Sequence, residues 1–100
     1  MPSFHLTAQA KEELKSIGRY TQETWGREQR NKYLAALDKC FHRLAENPGV
    51  GRSCEEIREG YRKLHEGRHV VFYRPVPGGI EIVRVLHSLV DIEKHLSENL

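Results

Sequence analysis

The sequence predicts an α+β fold in the order β-α-α-β-β-β-(α), a helical hairpin packed on a small, mainly antiparallel sheet. Three observations predict it. Apolar residues in the first half recur at helical offsets of three and four. The second half carries extended runs parted by glycine-bearing turns. No repeat, low-complexity tract or linker divides the 100 residues, so residues 1–100 read as one domain with one modest core.

Phe4-His5-Leu6 is a short extended segment, and Thr7 behind it is a helix cap whose hydroxyl accepts from an orphan amide of the first turn. Ala10, Leu14 and Ile17 form the apolar stripe of the first helix, which Tyr20 or Thr21 extends; Lys11, Glu12 and Lys15 take the wet side, and Gly18 is a weak point. Trp25-Gly26 marks a break. Tyr33, Ala36, Leu37, Cys40, Phe41 and Leu44 define the clearest element, a second helix that Asn47-Pro48-Gly49 stops. Two helices joined so tightly predict an antiparallel hairpin.

A loop is expected over residues 50–57, then strands at 61–65, 68–76 and 80–87. Glu66-Gly67 connects the first pair and residues 75–79 the second. The first strand must pair within this sheet, because one short strand is not stable alone. Asp-Ile-Glu-Lys-His-Leu at 91–96 predicts a short last helix.

Charge and composition exclude more than they assign. No apolar run is long enough to cross a bilayer, and the start lacks the basic and apolar regions of a signal peptide, so a cytoplasmic protein without membrane contact is expected. Sixteen basic and 14 acidic residues leave a net charge of +2, too little to predict nucleic-acid binding. The bias is local: Arg58, Arg62, Lys63, Arg68 and Arg74, with His65 and His69, face only Glu59 and Glu66 along one stretch. Taken alone, that stretch reads as a solvated strand face. Cys40 falls on the apolar stripe and Cys54 among loop residues, in no metal-ligand spacing; neither a metal nor a cofactor is implied.

Many short matches in order make the chain resemble the ParE branch of the RelE/ParE toxins. They are Leu6-Thr7-x-x-Ala10, Leu14-x-x-Ile17, Tyr20-Thr21-x-x-x-Trp25-Gly26 and Gln29-x-x-x-Tyr33-x-x-x-Leu37 in the helical half. Leu44-Ala45-x-Asn47-Pro48-x-x-Gly51-Arg52, Ile57-Arg58-x-Gly60-Tyr61-Arg62, His69-Val70-Val71-Phe72-Tyr73-Arg74, and Ile82-Val83-Arg84-Val85-Leu86-His87 with Asp91 complete the set. The resemblance implies the toxin of a type II toxin–antitoxin module, neutralised by a cognate ParD-like antitoxin. It also implies a choice of target, since ParE-like members inhibit DNA gyrase whereas RelE-like members cleave mRNA on the ribosome. One scaffold hosts both, and only site residues decide.

A metal-independent ribonuclease needs a base, an acid and cations for the phosphorane. Arg62, His65, Arg84 and His87 are the catalytic set if the chain is such an enzyme, with Arg68 and His69 nearby in sequence. Strand alternation puts His87 with Val83 and Val85 and Arg84 with Ile80, Ile82 and Leu86, on opposite faces unless a bulge intervenes. The last segment also lacks the terminal aromatic of RelE-like nucleases. The resemblance to the ParE branch then implies a non-enzymatic gyrase inhibitor without sequence-specific nucleic-acid binding of its own, although the sequence itself shows no gyrase-binding motif. Arg58, Arg62, Arg68, Arg84 and His87 are its exposed target-binding anchors. The RelE-like endoribonuclease and a degenerate, non-toxic antitoxin binder are the alternatives. Antitoxin contact is expected at Tyr20, Trp25, Tyr33 and Leu37 beside the hairpin, although Trp25 and Tyr33 fit equally as seals of the hairpin turn.

Overall fold

The computed structural model describes residues 3–89, and the helix expected at 91–96 lies outside them. The chain runs β1 (Ser3–Leu6), α1 (Ala8–Trp25), α2 (Arg27–Glu46), a 3-10 turn (Pro48–Val50), β2 (Arg52–Ser53), β3 (Arg62–Glu66), β4 (His69–Val76) and β5 (Gly79–His87). The strands form one sheet in the order β1-β5-β4-β3-β2, antiparallel except where β1 lies parallel to β5. The α+β fold and the pairing of β1 are as expected. One element was not foreseen. Inside the expected loop, Arg52 and Ser53 pair with Lys63 and Arg62, a strand too short to show any alternation.

Thr7 caps α1, its Oγ1 accepting from the Ala10 amide at 3.1 Å and donating to the Val83 carbonyl at 2.7 Å. The same hydroxyl therefore starts the helix and ties it to β5. Gly26, at φ 94°, is the whole connection between the helices, a conformation that suits glycine. Gly18 gains its reason from packing: a Cβ there would stand 3.3 Å from Leu34 Cδ1 on α2.

The sheet is apolar on both faces. On the helix side, Val71, Tyr73, Ile80, Ile82 and Val85 of the sheet share a core with Leu37, Cys40, Phe41 and Leu44 of α2. On the other face, Val70, Phe72, Val83 and Leu86 pack under Cys54, Ile57 and Tyr61, so the connection between β2 and β3 serves as a lid for the second face. Tyr73, fully buried, donates to the Pro48 carbonyl at 2.5 Å and accepts from the Gly51 amide at 2.9 Å, pinning the start of that connection.

Simple alternation fails along β5. Phe72 pairs with Arg84 but Tyr73 pairs with Ile82, leaving Val83 as an extra residue. The bulge puts Val85 in the same core as Ile80 and Ile82, while Val83 joins Leu86 on the other face. The face assignment expected for this strand is corrected accordingly.

Candidate functional site

Between the hairpin and the ends of β4 and β5 lies an open groove of ≈ 930 Å³. Glu12, Glu13, Ser16, Ile17, Tyr20, Thr21 and Trp25 of α1 form one wall, with Gln29 and Tyr33 of α2. The opposite wall is Gly67, Arg68 and His69 with Val85, Leu86 and His87. Tyr20 and Trp25 remain 61% and 57% exposed, large apolar surfaces that this chain leaves uncovered.

The groove's polar end is built around the Tyr33 hydroxyl. It lies 2.5 Å from His69 Nδ1, accepts from the Arg68 amide at 3.0 Å, and lies 3.3 Å from the Glu66 carbonyl. Burial pushes its pKa above the usual tyrosine value. A two-residue turn, Gly67-Arg68, makes this meeting possible, one residue later than expected. Gly67 sits at φ 59°, and a Cβ there would come 2.6 Å from the Tyr33 ring. Left-handed backbone and close approach both call for glycine.

His69 pairs across the sheet with His87, their rings 5.4 Å apart and nearly perpendicular. Burial first, then the neighbouring His87, lowers the His69 pKa to about 4, so at neutral pH its ring is uncharged. Beside them the Arg68 guanidinium stands 5.7 Å over the Trp25 ring, a cation–π contact on the rim.

The far wall rests on an ion pair. Glu13 Oε2 accepts from Arg84 Nε at 2.8 Å and Nη2 at 2.6 Å, and Glu13 Oε1 accepts from the Val85 amide at 2.9 Å. This carboxylate satisfies a strand amide beyond the last β1 partner, Ile82, and holds α1 to β5.

Several expected site residues lie elsewhere. Arg84 is 5% exposed and held by Glu13, so it is no exposed anchor. Leu37 is 1% exposed within the core and out of a partner's reach. Arg62 is spent on its own chain, its Nε donating to the Gly51 carbonyl at 3.0 Å. Exposed His65 pairs with Val70, on the sheet face away from the helices. Arg58 is exposed beside a second, smaller cleft with Glu59, Tyr61, Arg74 and Glu81, where the Arg74 guanidinium helps hold the Glu81 carboxyl below its usual range. Of the four nuclease candidates only His87 lines the groove. The structure instead unites Tyr20, Trp25, Tyr33, Arg68, His69 and His87 there.

Glu13 went unnoticed, although a signal for it existed. It falls three residues after Ala10 and four before Ile17, on the buried stripe, where a carboxylate requires a buried cation.

Fold and groove together define a class: a two-helix, five-strand scaffold presenting an aromatic, open cleft. The family model for the ParE toxin of the type II toxin–antitoxin system, parDE, matches residues 4–91. Toxin ParE1 of Mycobacterium tuberculosis is 44% identical over 92 residues, which cover 91% of this chain and 94% of that protein. Toxin ParE1 of Caulobacter vibrioides is 41% identical over 96 residues, covering 96% and 99%. Toxin ParE of Escherichia coli is 33% identical over 101 residues, covering 100% and 98%. A solved structure described as the chromosomal ParDE TA system from P. aeruginosa superposes with a TM-score of 0.73, covering 87% of this chain and 96% of that one at 20% identity, which bears on the fold. The chain belongs to the ParE toxin family.

Proposed function

We propose that this ParE-type toxin acts by inhibiting DNA gyrase, as a binder and not an enzyme, and that a cognate ParD-like antitoxin neutralises it in the cytoplasm by covering the groove. Family membership across residues 4–91 is the observation that carries the gyrase reading. The dispersal of Arg62, His65, Arg84 and His87 supports it against the nuclease alternative, because acid, base and phosphate clamp must share one site. For the antitoxin, support comes from Tyr20 and Trp25, exposed aromatic side chains of the kind that anchor interfaces, standing over a concave surface. An amphipathic segment laid into a groove is a common way for one protein to cover another.

A plasmid supercoiling assay tests the target, with purified gyrase, ATP and the toxin freed of antitoxin. Inhibited supercoiling, or cleaved plasmid trapped with gyrase, is the expected result. Unimpaired supercoiling by a folded protein that still arrests growth would overturn the gyrase reading and direct attention to mRNA on translating ribosomes.

A further inference from the structure

Among the described residues, the polar end of the groove holds hydrogen-bond donors without a matching acceptor. Leu89 N–H donates to His87 Nδ1 at 3.1 Å, so that nitrogen acts as the acceptor and Nε2 is left as the ring's donor. The Tyr33 hydroxyl has one proton to give. Its nearest acceptor is His69 Nδ1 at 2.5 Å rather than the Glu66 carbonyl at 3.3 Å, which places the His69 proton on Nε2 as well. Among the described residues neither Nε2 has a hydrogen-bond partner, and no carboxylate pairs with Arg68. The carboxylates lining the same groove are committed elsewhere, Glu13 to Arg84 and the Val85 amide, Glu12 to Lys15.

We propose that this end is a carboxylate-binding subsite for the antitoxin, where an Asp or Glu side chain of the docked segment is received by Arg68, His69 and His87. The inference rests on the antitoxin reading above and adds the chemistry of its anchor. Two imidazole N–H groups and a guanidinium make a donor set for an anion, and an ionised acceptor forms the stronger class of hydrogen bond. Trp25 holds the guanidinium on the rim, limiting the rotamer entropy lost on binding. Because burial keeps His69 neutral, it contributes a dipole and not a second charge beside Arg68. Tyr20 and Trp25 would exclude water from the bond once a segment lies across them.

The test uses the full toxin and its cognate ParD-like antitoxin. Each Asp and Glu in the antitoxin's toxin-contacting half is changed to Asn or Gln, and Kd is measured calorimetrically against wild type, Arg68→Gln, Arg68→Lys, His87→Phe, Trp25→Ala and Tyr20→Ala. One acidic position is expected to stand out, weakening binding at least ~10-fold when neutralised. Arg68→Gln and His87→Phe should then add less than about threefold to that loss, as coupled partners do. Arg68→Lys, which keeps the charge, should retain more affinity than Arg68→Gln. Full additivity of every acidic substitution with Arg68→Gln and His87→Phe overturns the subsite, while a loss on Trp25→Ala leaves the groove reading standing. Unchanged affinity on Trp25→Ala and on Tyr20→Ala removes the groove reading, and the subsite with it.

Discussion

Tyr33 and His69 show how much can depend on one pair. A single phenol serves the turn amide of Arg68 and the imbedded imidazole, so the groove's polar end is ordered by one hydroxyl. The His69 pKa of about 4 carries a stability consequence whose sign is definite. Unfolded, the ring takes a proton near pH 6.5, whereas folded it stays neutral down to about pH 4. The unfolded chain therefore binds more protons across that window, and the contribution is fully present above pH 6.5 and lost progressively as pH falls toward 4. Tyr33, Glu66, Arg68 and His87 surround the ring, and none supplies a carboxylate contact that would reverse the direction. Urea midpoints should fall between pH 7.5 and 5, and fall less in His69→Gln; parallel profiles for the two proteins would refute this. Little of the pair was legible beforehand. Periodicity exposed Tyr33 as a large residue near the hairpin, and the histidines as candidates, but a contact between residues 36 apart depends on where the Gly67-Arg68 turn sets the strand register.

At the scale of elements, α1 is joined to β5 by two side chains one helical stretch apart. Thr7 reaches the Val83 carbonyl, and Glu13 reaches the Val85 amide and Arg84, so a helix repairs a strand edge that β1 is too short to cover. Removing the carboxylate strips a buried guanidinium of that partner and orphans a strand amide. Glu13→Ala should cost on the order of 3 kcal/mol in urea unfolding, by the usual penalty for breaking a buried pair. Glu13→Leu with Arg84→Met should recover much of it, since apolar replacement of both partners removes the uncompensated charge. A Glu13→Ala loss below about 1 kcal/mol would show the pair to be ornamental. The elements themselves were largely readable. Both helices announced their apolar stripes, their stops at Gly26 and Asn47, and the cap at Thr7. Three strands announced their runs. What stayed hidden obeys no period: the two-residue β2, and the extra Val83 that turns the rest of β5 over. Arg84 was misjudged for a different reason: a basic residue on a strand reads as solvated until a carboxylate from another element is placed against it.

Over the whole molecule, core and groove are separable investments. Leu37, Phe41, Leu44, Tyr73 and Ile80 are shut inside, whereas Tyr20 and Trp25 stand outside and pack little of the fold. Exposed positions of this kind change stability by less than about 0.5 kcal/mol when truncated. Anchoring aromatics at an interface cost roughly 2 kcal/mol or more each, close to 30-fold in Kd. Tyr20→Ala with Trp25→Ala should therefore leave the melting curve nearly unchanged and weaken antitoxin binding by at least ~100-fold. If gyrase is engaged through surfaces outside this groove, the same double variant should still inhibit supercoiling but resist rescue by added antitoxin. Titrating antitoxin into the supercoiling assay reads both properties at once. Loss of inhibition in the folded variant would mean that toxin target and antitoxin compete for the same aromatics, so that neutralisation works by direct occlusion. Full rescue at wild-type antitoxin concentrations would place the antitoxin on another face altogether, the exposed side of α2 being the first to examine.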